Sequence, residues 1–191
     1  MLDHGAMFDP ATARALIESH RPLDPVAAYY QRQMLALINS TPDFANRYHY
    51  TPGHLTAQAV VYQPSTRRVA MMRHKKLNMD LFFGGHCEPE DVDLLAAARR
   101  EALEEGGLDH LLLAQQTPFD LDIHGFPARK DQPDHLHFDV RFLFHAADDA
   151  VLKQNDESEQ VYWLPVGELR THLPMNLSNS RLVLQLERIA S

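Results

Sequence analysis

The chain has one cysteine, Cys87, so no disulfide can close within it, which suits a reducing cytoplasm. Long hydrophobic runs are missing as well. No uncharged apolar stretch approaches the roughly 18 residues needed to span a bilayer, and a soluble protein without a membrane partner is expected. Basic charge is in deficit, with 18 Lys and Arg against 26 Asp and Glu and a formal net charge of -8. That is the wrong sign for a stable nucleic-acid complex held by phosphate contacts. A mononucleotide or nucleotide sugar stays compatible, because a bound cation can mediate between carboxylates and phosphates. No internal repeat is present. The first twenty residues carry Asp3, Asp9, Arg14 and Glu18 and have neither the basic start nor the apolar stretch of an export signal. The expected location is the cytoplasm.

With 191 residues and 45% hydrophobic content, there is enough chain for one well-buried core and too little for two full domains. Asp9-Pro10 and Asp24-Pro25 each place a capping residue before a proline suited to a first helical turn. Helices are expected over roughly 10–20 and 25–39. The second carries Val26, Tyr29, Tyr30, Met34, Leu37 and Ile38 at helical spacing. Such apolar stripes need cover, from the rest of the chain or from a second copy in a homodimer. From about residue 53 the texture turns to strands. Leu55 to Tyr62 and Val69 to His74 read as a hairpin, Leu81 to Phe83 as a short strand, and Gln160 to Leu164 as a late one. From His135 to His145, apolar residues alternate with His135, His137, Asp139 and Arg141, giving a core face and a polar face on a half-exposed strand. A helix over 93–106 is capped by Asp93, stopped by Gly106-Gly107 and striped by Leu95, Ala98 and Ala102; another spans 178–189. Strands mixed with helices in this order predict an α/β fold, a sheet covered by helices.

Glu101, Glu104 and Glu105 stand three and four residues apart on one side of the 93–106 helix. Like charges at that spacing cost about 0.2–0.5 kcal/mol per pair. Acids in the last turn also face the negative end of the helix dipole, costing roughly 0.3–1 kcal/mol each at low salt. A local rule broken in this way marks a functional candidate, and a hard cation such as Mg²⁺ or Mn²⁺ is the natural compensation. The alternative is a solvated acidic face relieved by Arg99 and Arg100.

The string GGHCEPEDVDLLAAARREALEEGGL, residues 84–108, resembles the signature box of the Nudix hydrolases, the MutT-like family. Its second half fits at every position through Arg100, Glu101, Ala102, Glu104, Glu105, Gly107 and Leu108. In its first half Asp91 stands where the pattern has glutamate, and eight residues instead of seven separate it from Arg100. One residue is inserted in the loop, with Asp93 as the alternative to Asp91. The resemblance spans roughly 53–190 and includes the run Val161 to Leu169. His54, Gly84-Gly85-His86, Asp122 to His124 and His135 to His137 further resemble a bacterial Nudix subgroup of undefined substrate.

The resemblance implies an α/β/α sandwich with a mixed sheet over 53–191, behind an N-terminal helical extension over 1–52. It implies metal-activated hydrolysis of a diphosphate bond in a nucleoside diphosphate linked to another group, with Mg²⁺ or Mn²⁺ as cofactor. Glu104 and Glu105 would be principal ligands, with the Gly84 carbonyl. Glu101 would be a further ligand or the base, and Arg100 would orient the glutamates. In some members the base comes from the loop before the tryptophan-bearing strand, where Glu157 stands. Two alternatives are a non-catalytic nucleotide-binding or regulatory module, suggested by the irregular half-box, and an isopentenyl diphosphate isomerase, suggested by Cys87 beside His86.

Twelve histidines are present. His135 and His137 share a strand face at a spacing that can chelate zinc, with His124 as a candidate third ligand. The ordinary reading is the polar face of a half-exposed strand; this face is further expected to border a substrate cleft, with His137 and Arg141 toward substrate and Arg141 or Arg129 meeting a phosphate, the alternative being surface salt bridges.

Overall fold

The computed structural model describes residues 7–191; Asp3 lies outside them. In chain order the elements are α1 (Pro10–Ser19), α2 (Pro25–Ser40), β1 (Gly53–Gln63), β2 (Arg68–His74), β3 (Met79–Leu81), β4 (Phe83–His86), α3 (Leu94–Gly106), β5 (Leu112–Leu113), β6 (Asp120–Phe126), β7 (His135–His145), β8 (Ser158–Pro165), α4 (Leu169–His172) and α5 (Leu177–Ala190). Strands hydrogen-bond in the order β3-β2-β1-β7-β5, with β6 on β7, β8 on β2 and β4 on β1. This is a mixed α/β architecture, as the sequence predicts. The chain forms two compact units. One holds the described residues up to Gln58 with Gly85–Ala97 and Gln116–Phe142; the other holds Ala59–Gly84, Ala98–Gln115 and Leu143–Ser191.

In the first unit, Asp9 caps α1 by accepting from the Thr12 amide at 2.9 Å, and Asp24 caps α2 through the Ala27 amide at 2.8 Å. The two helices pack on each other, and α2 packs on β6. Ile17, Met34, Leu37 and Ile38 are buried, whereas Tyr29 of the same stripe stays exposed. The Gln31 side-chain amide donates to the carbonyls of Ile17 and His20, closing the end of α1. The His20 ring meets the Pro118 carbonyl at 2.9 Å and ties that end to the approach of β6.

β6 and β7 are antiparallel, pairing Asp120 with Arg141, Asp122 with Asp139, His124 with His137 and Phe126 with His135. β7 is not half-exposed. His135, His137, Asp139 and Arg141 are all buried, whereas Leu136, expected in the core, is only partly covered. The expected solvent face is an internal polar layer, because its side chains find partners on β6 and β1 in place of water.

In the second unit, Tyr62 pairs with Val69 and Gln63 with Arg68 in the predicted hairpin, whose turn ends at Arg67 with φ 55°. The turn covers the four residues from Pro64 to Arg67. β8 runs antiparallel along β2 from Arg68 opposite Pro165 to His74 opposite Ser158. The short strand expected through Phe82 is broken there into β3 and β4. On α3 the buried stripe is Leu94, Ala97, Ala98 and Ala102, one residue around from the predicted Leu95. The glycines that stop α3 have separate reasons. A side chain on Gly106 would lie 2.6 Å from the Phe83 ring, and Gly107 has φ 67°, a left-handed conformation natural to glycine.

Candidate functional site

Chemistry-bearing residues gather into one cluster in each unit. In the second unit the last turns of α3 carry Glu101, Glu104 and Glu105. Glu101 and Glu105 are buried and Glu104 is exposed. Arg100 Nη1 lies 3.0 Å from Glu101 Oε1 and 3.0 Å from Glu104 Oε2, bridging the two. The Gly84 amide at the start of the box loop donates to Glu105 Oε2 at 2.8 Å. Burial, followed by repulsion from Glu101, pushes the Glu105 carboxyl up to about 8; the Gly84 bond pulls the other way, and Glu157 and Glu104 add to the rise. Glu157, exposed before β8, is therefore close enough to act on Glu105. Its own backbone is pinned, with the carbonyl accepting from the Lys75 amide at 2.9 Å and the amide donating to Asn155 Oδ1 at 3.0 Å. Gly84, Arg100, Glu101, Glu104, Glu105 and Glu157, scattered over some seventy positions, thus form one neighbourhood.

The inserted residue in the box loop is absorbed locally, in the first unit. Asp91 accepts from the Glu88 amide at 2.8 Å, while the Asp91 amide donates to the Glu88 carbonyl at 3.0 Å, so Asp91 closes the loop on itself. Asp93 caps α3 by accepting from the Ala96 amide at 2.7 Å. Cys87 is buried, its Sγ 3.9 Å from the Leu55 carbonyl oxygen.

The cluster of the first unit is centred on Arg141. Its guanidinium is buried, 2.9 Å from Asp120, 3.3 Å from Asp122 and 3.5 Å from Asp139, and its Nε donates to Gln58 Oε1 at 2.9 Å. Burial opposes its charge, but Asp122, Asp120 and Asp139 outweigh that and raise its proton affinity. Asp139 also accepts from the Thr56 hydroxyl and from Gln58 Nε2. Asp122 and Asp139 face each other across β6 and β7, a repulsive pairing that Arg141 and His124 relieve. His124 Nδ1 lies 3.5 and 3.4 Å from the two carboxylates, and Asp139 foremost raises its proton affinity. Arg141, expected to face substrate, turns guanidinium nitrogens toward three buried carboxylates.

Beyond His124 the same layer becomes a group of imidazoles. The His54 ring centroid lies 5.1, 5.2 and 5.0 Å from those of His86, His135 and His137, and the His137 centroid lies 5.2 and 5.0 Å from those of His86 and His135. Burial pushes His54 down to about 4, His86 to about 3 and His137 to about 2, with neighbouring charges helping. His137, expected to face substrate, is buried among them with Phe126 stacked on it at 4.7 Å. Sequence spacing pairs His135 with His137 but gives no signal for His54 and His86, which arrive from β1 and β4. Gln58 and Thr56 were missed for the same reason.

Comparison with known proteins identifies the family. The family model of the NUDIX domain matches residues 52–186. The chain belongs to the Nudix family, whose members are hydrolases acting on pyrophosphate bonds and generally use divalent metals. Among solved structures, the chain resembles a C. elegans Ap4A hydrolase in a binary complex at 14% identity and TM-score 0.56, over 70% of this chain and 95% of that one. It resembles a NUDIX-family hydrolase from Clostridium perfringens at 20% identity and TM-score 0.53, over 75% and 99% of the two chains. The E. coli dihydroneopterin triphosphate pyrophosphohydrolase gives 18% identity and TM-score 0.51 over 69% and 92%. These likenesses establish the fold. No curated protein matches the chain in sequence. No helix among the described residues is long and apolar enough to cross a membrane.

Proposed function

We propose that residues 53–191 act as a metal-dependent hydrolase cleaving the diphosphate bond of a nucleoside diphosphate linked to another group, with residues 1–52 as a helical extension. The observation that carries this reading is Glu105. A buried carboxyl beside three other glutamates is costly in the absence of positive charge, and it stands in the intact half of the Nudix box. The residues fit a hard divalent cation, since they offer carboxylate and carbonyl oxygen. Glu104, Glu105 and Glu101, with the Gly84 carbonyl, would hold Mg²⁺ or Mn²⁺. Such an ion, when bound, neutralises diphosphate oxygens and lowers the pKa of the attacking water.

Glu101 is assigned as a further ligand or as the acceptor of the water proton, and Glu157 as the alternative acceptor. Arg100 holds Glu101 and Glu104 in place through its shared Nη1. Arg141 acts indirectly, by fixing Asp122 and Asp139. The relatives named for Ap4A and for dihydroneopterin triphosphate support a phosphoanhydride substrate bearing a heterocyclic base. A small molecule is the expected partner, and the cytoplasm the expected location.

The test is a panel of nucleoside triphosphates, ADP-ribose, nucleotide sugars, dinucleoside polyphosphates and isopentenyl diphosphate, each with Mg²⁺ or Mn²⁺, assayed on wild type and Glu105→Gln. Metal-dependent cleavage by wild type and its loss in the variant are expected. Ligand binding without turnover across the panel would instead establish a non-catalytic module, and conversion of isopentenyl diphosphate an isomerase.

A further inference from the structure

We propose a second metal site in this chain, chemically distinct from the carboxylate cluster: a zinc-type centre held by the imidazoles of His54, His135 and His137. One nitrogen from each ring lies within 4.8 Å of the other two, and all three residues are buried. Burying three imidazoles ring against ring has a cost that hydrogen bonding among the described residues does not fully offset, because His54 Nε2 is buried with no hydrogen-bond partner there.

The outer contacts decide which nitrogens face inward. His54 Nδ1 lies 3.1 Å from the His49 carbonyl oxygen, and His135 Nδ1 lies 2.8 Å from that of Pro133. A carbonyl only accepts, so both Nδ1 atoms carry the proton, and both Nε2 atoms present a lone pair. Backbone carbonyls on the outer nitrogen are the usual means of fixing the tautomer and ring orientation of a metal-bound histidine. His135 Nε2 and His137 Nε2 stand 3.1 Å apart. Two nitrogens on a tetrahedral zinc, each about 2.0–2.1 Å from it, are separated by about 3.3–3.4 Å. That pair is nearly at ligand spacing, and a His54 nitrogen lies within 4.8 Å of a nitrogen of each partner.

The donor chemistry selects the ion. Three neutral nitrogens suit zinc and its neighbours in the first transition row, whereas Mg²⁺ prefers oxygen. Three protein ligands leave a fourth position for water or another small ligand, as in zinc sites that carry chemistry. Phe126 stacks on His137, the Tyr50 ring stands edge-on to His135 at 5.0 Å, and a pocket lined by Tyr50, Pro52, Phe126 and His135 supplies an entry path. The competing set of His124, His137 and Asp139 is weaker, because Asp139 is already engaged by Thr56, Gln58 and Arg141.

The inference does not depend on the hydrolase reading, and its test keeps the two apart. Chelator-stripped full-length protein is titrated with Zn²⁺, and bound metal is counted by native mass spectrometry. Wild type and Glu105→Gln are each expected to bind one zinc in this site. His54→Gln and His135→Gln should weaken that binding at least tenfold, while His124→Gln leaves it unchanged. Crystals of zinc-loaded wild type, measured at the zinc absorption edge, should place the ion among the three Nε2 atoms even if a variant fails to fold. The proposal is overturned if folded wild type takes up no zinc at micromolar concentration. An anomalous peak at the glutamates alone, or at His124 and Asp139, overturns it equally.

Discussion

The Gly84 amide donates to the buried carboxylate of Glu105 at 2.8 Å, joining the start of the Nudix box to its last acid. That single bond does not offset burial and the repulsion of Glu101, so Glu105 holds its proton up to about pH 8 without metal. The folded value lies above the unfolded one near 4.5, so the folded chain binds the extra proton between these limits. Its contribution to stability is full below about 4.5 and falls as pH rises toward 8, by at most about 1.4 kcal/mol per pH unit. Urea unfolding of metal-free protein between pH 6.5 and 8 should show this decline, and Glu105→Gln or saturating Mg²⁺ should flatten it. An unchanged slope in the variant would place the titrating group elsewhere.

The imidazole group has the opposite sign. His54, His86 and His137 have folded values of about 4, 3 and 2, below the 6.5 of an unfolded histidine. They contribute stability above pH 6.5 that is lost as pH falls, since the unfolded chain takes up protons the folded one refuses. Three such groups outweigh one Glu105 below 6.5, so metal-free protein should be most stable near pH 6.5. Ring resonances followed by NMR from pH 7.5 to 5 should leave these three neutral, with His124 titrating above the 6.5 of an unfolded histidine. Titration of His137 near 6.5 would refute the prediction.

Arg141 is the only cation among Asp120, Asp122 and Asp139 in the contacts described for that layer other than His124. Removing one partner of a buried ion pair costs about 3–5 kcal/mol. Arg141→Met should therefore lose that much in chemical denaturation. Adding Asp122→Asn to it should recover part of the loss, because one carboxylate no longer needs the charge. Additive losses in the double variant would show that the two side chains do not couple.

At the end of α3, Gly107→Ala forces a side chain onto a residue at φ 67° and brings its Cβ within 2.8 Å of Lys153 Cβ. A loss of about 1–3 kcal/mol is expected from the backbone strain. Gly125→Ala, which meets nothing within 4 Å, is the control and should lose less. Thermal melts of the two variants side by side decide the point.

Much of this was legible in the sequence for local reasons. Asp9, Asp24 and Asp93 cap helices where the sequence puts them, and the β7 boundaries follow from alternation. The box was readable because its acids sit on one helix at short spacing. What alternation could not reveal is whether the polar face of β7 meets water. His135, Asp139 and Arg141 look like solvent-facing residues until β6 and β1 bring Asp120, Asp122, Thr56 and Gln58 against them. β6 itself escaped notice because its Asp120, Asp122 and His124 read as loop when their partner strand is unknown. His54 joins the imidazoles through a pairing some eighty residues long, which no local period encodes.

Arg100 gives the sharpest check on the proposed reaction. Its Nη1 lies 3.0 Å from both Glu101 and Glu104, so one guanidinium sets the spacing of two assigned groups. Arg100→Gln removes the positive charge and lets the two carboxylates spread, which should cut turnover by about 10–100-fold, the range seen for residues supporting metal ligands. Arg100→Lys keeps the charge but loses the planar donor geometry and should fall between. If Arg100 acts through the ligands, the Mg²⁺ concentration for half activation rises in both variants while the substrate KM changes little. A raised KM with unchanged metal demand would mean that Arg100 touches substrate directly. Full activity in Arg100→Gln would remove it from the site.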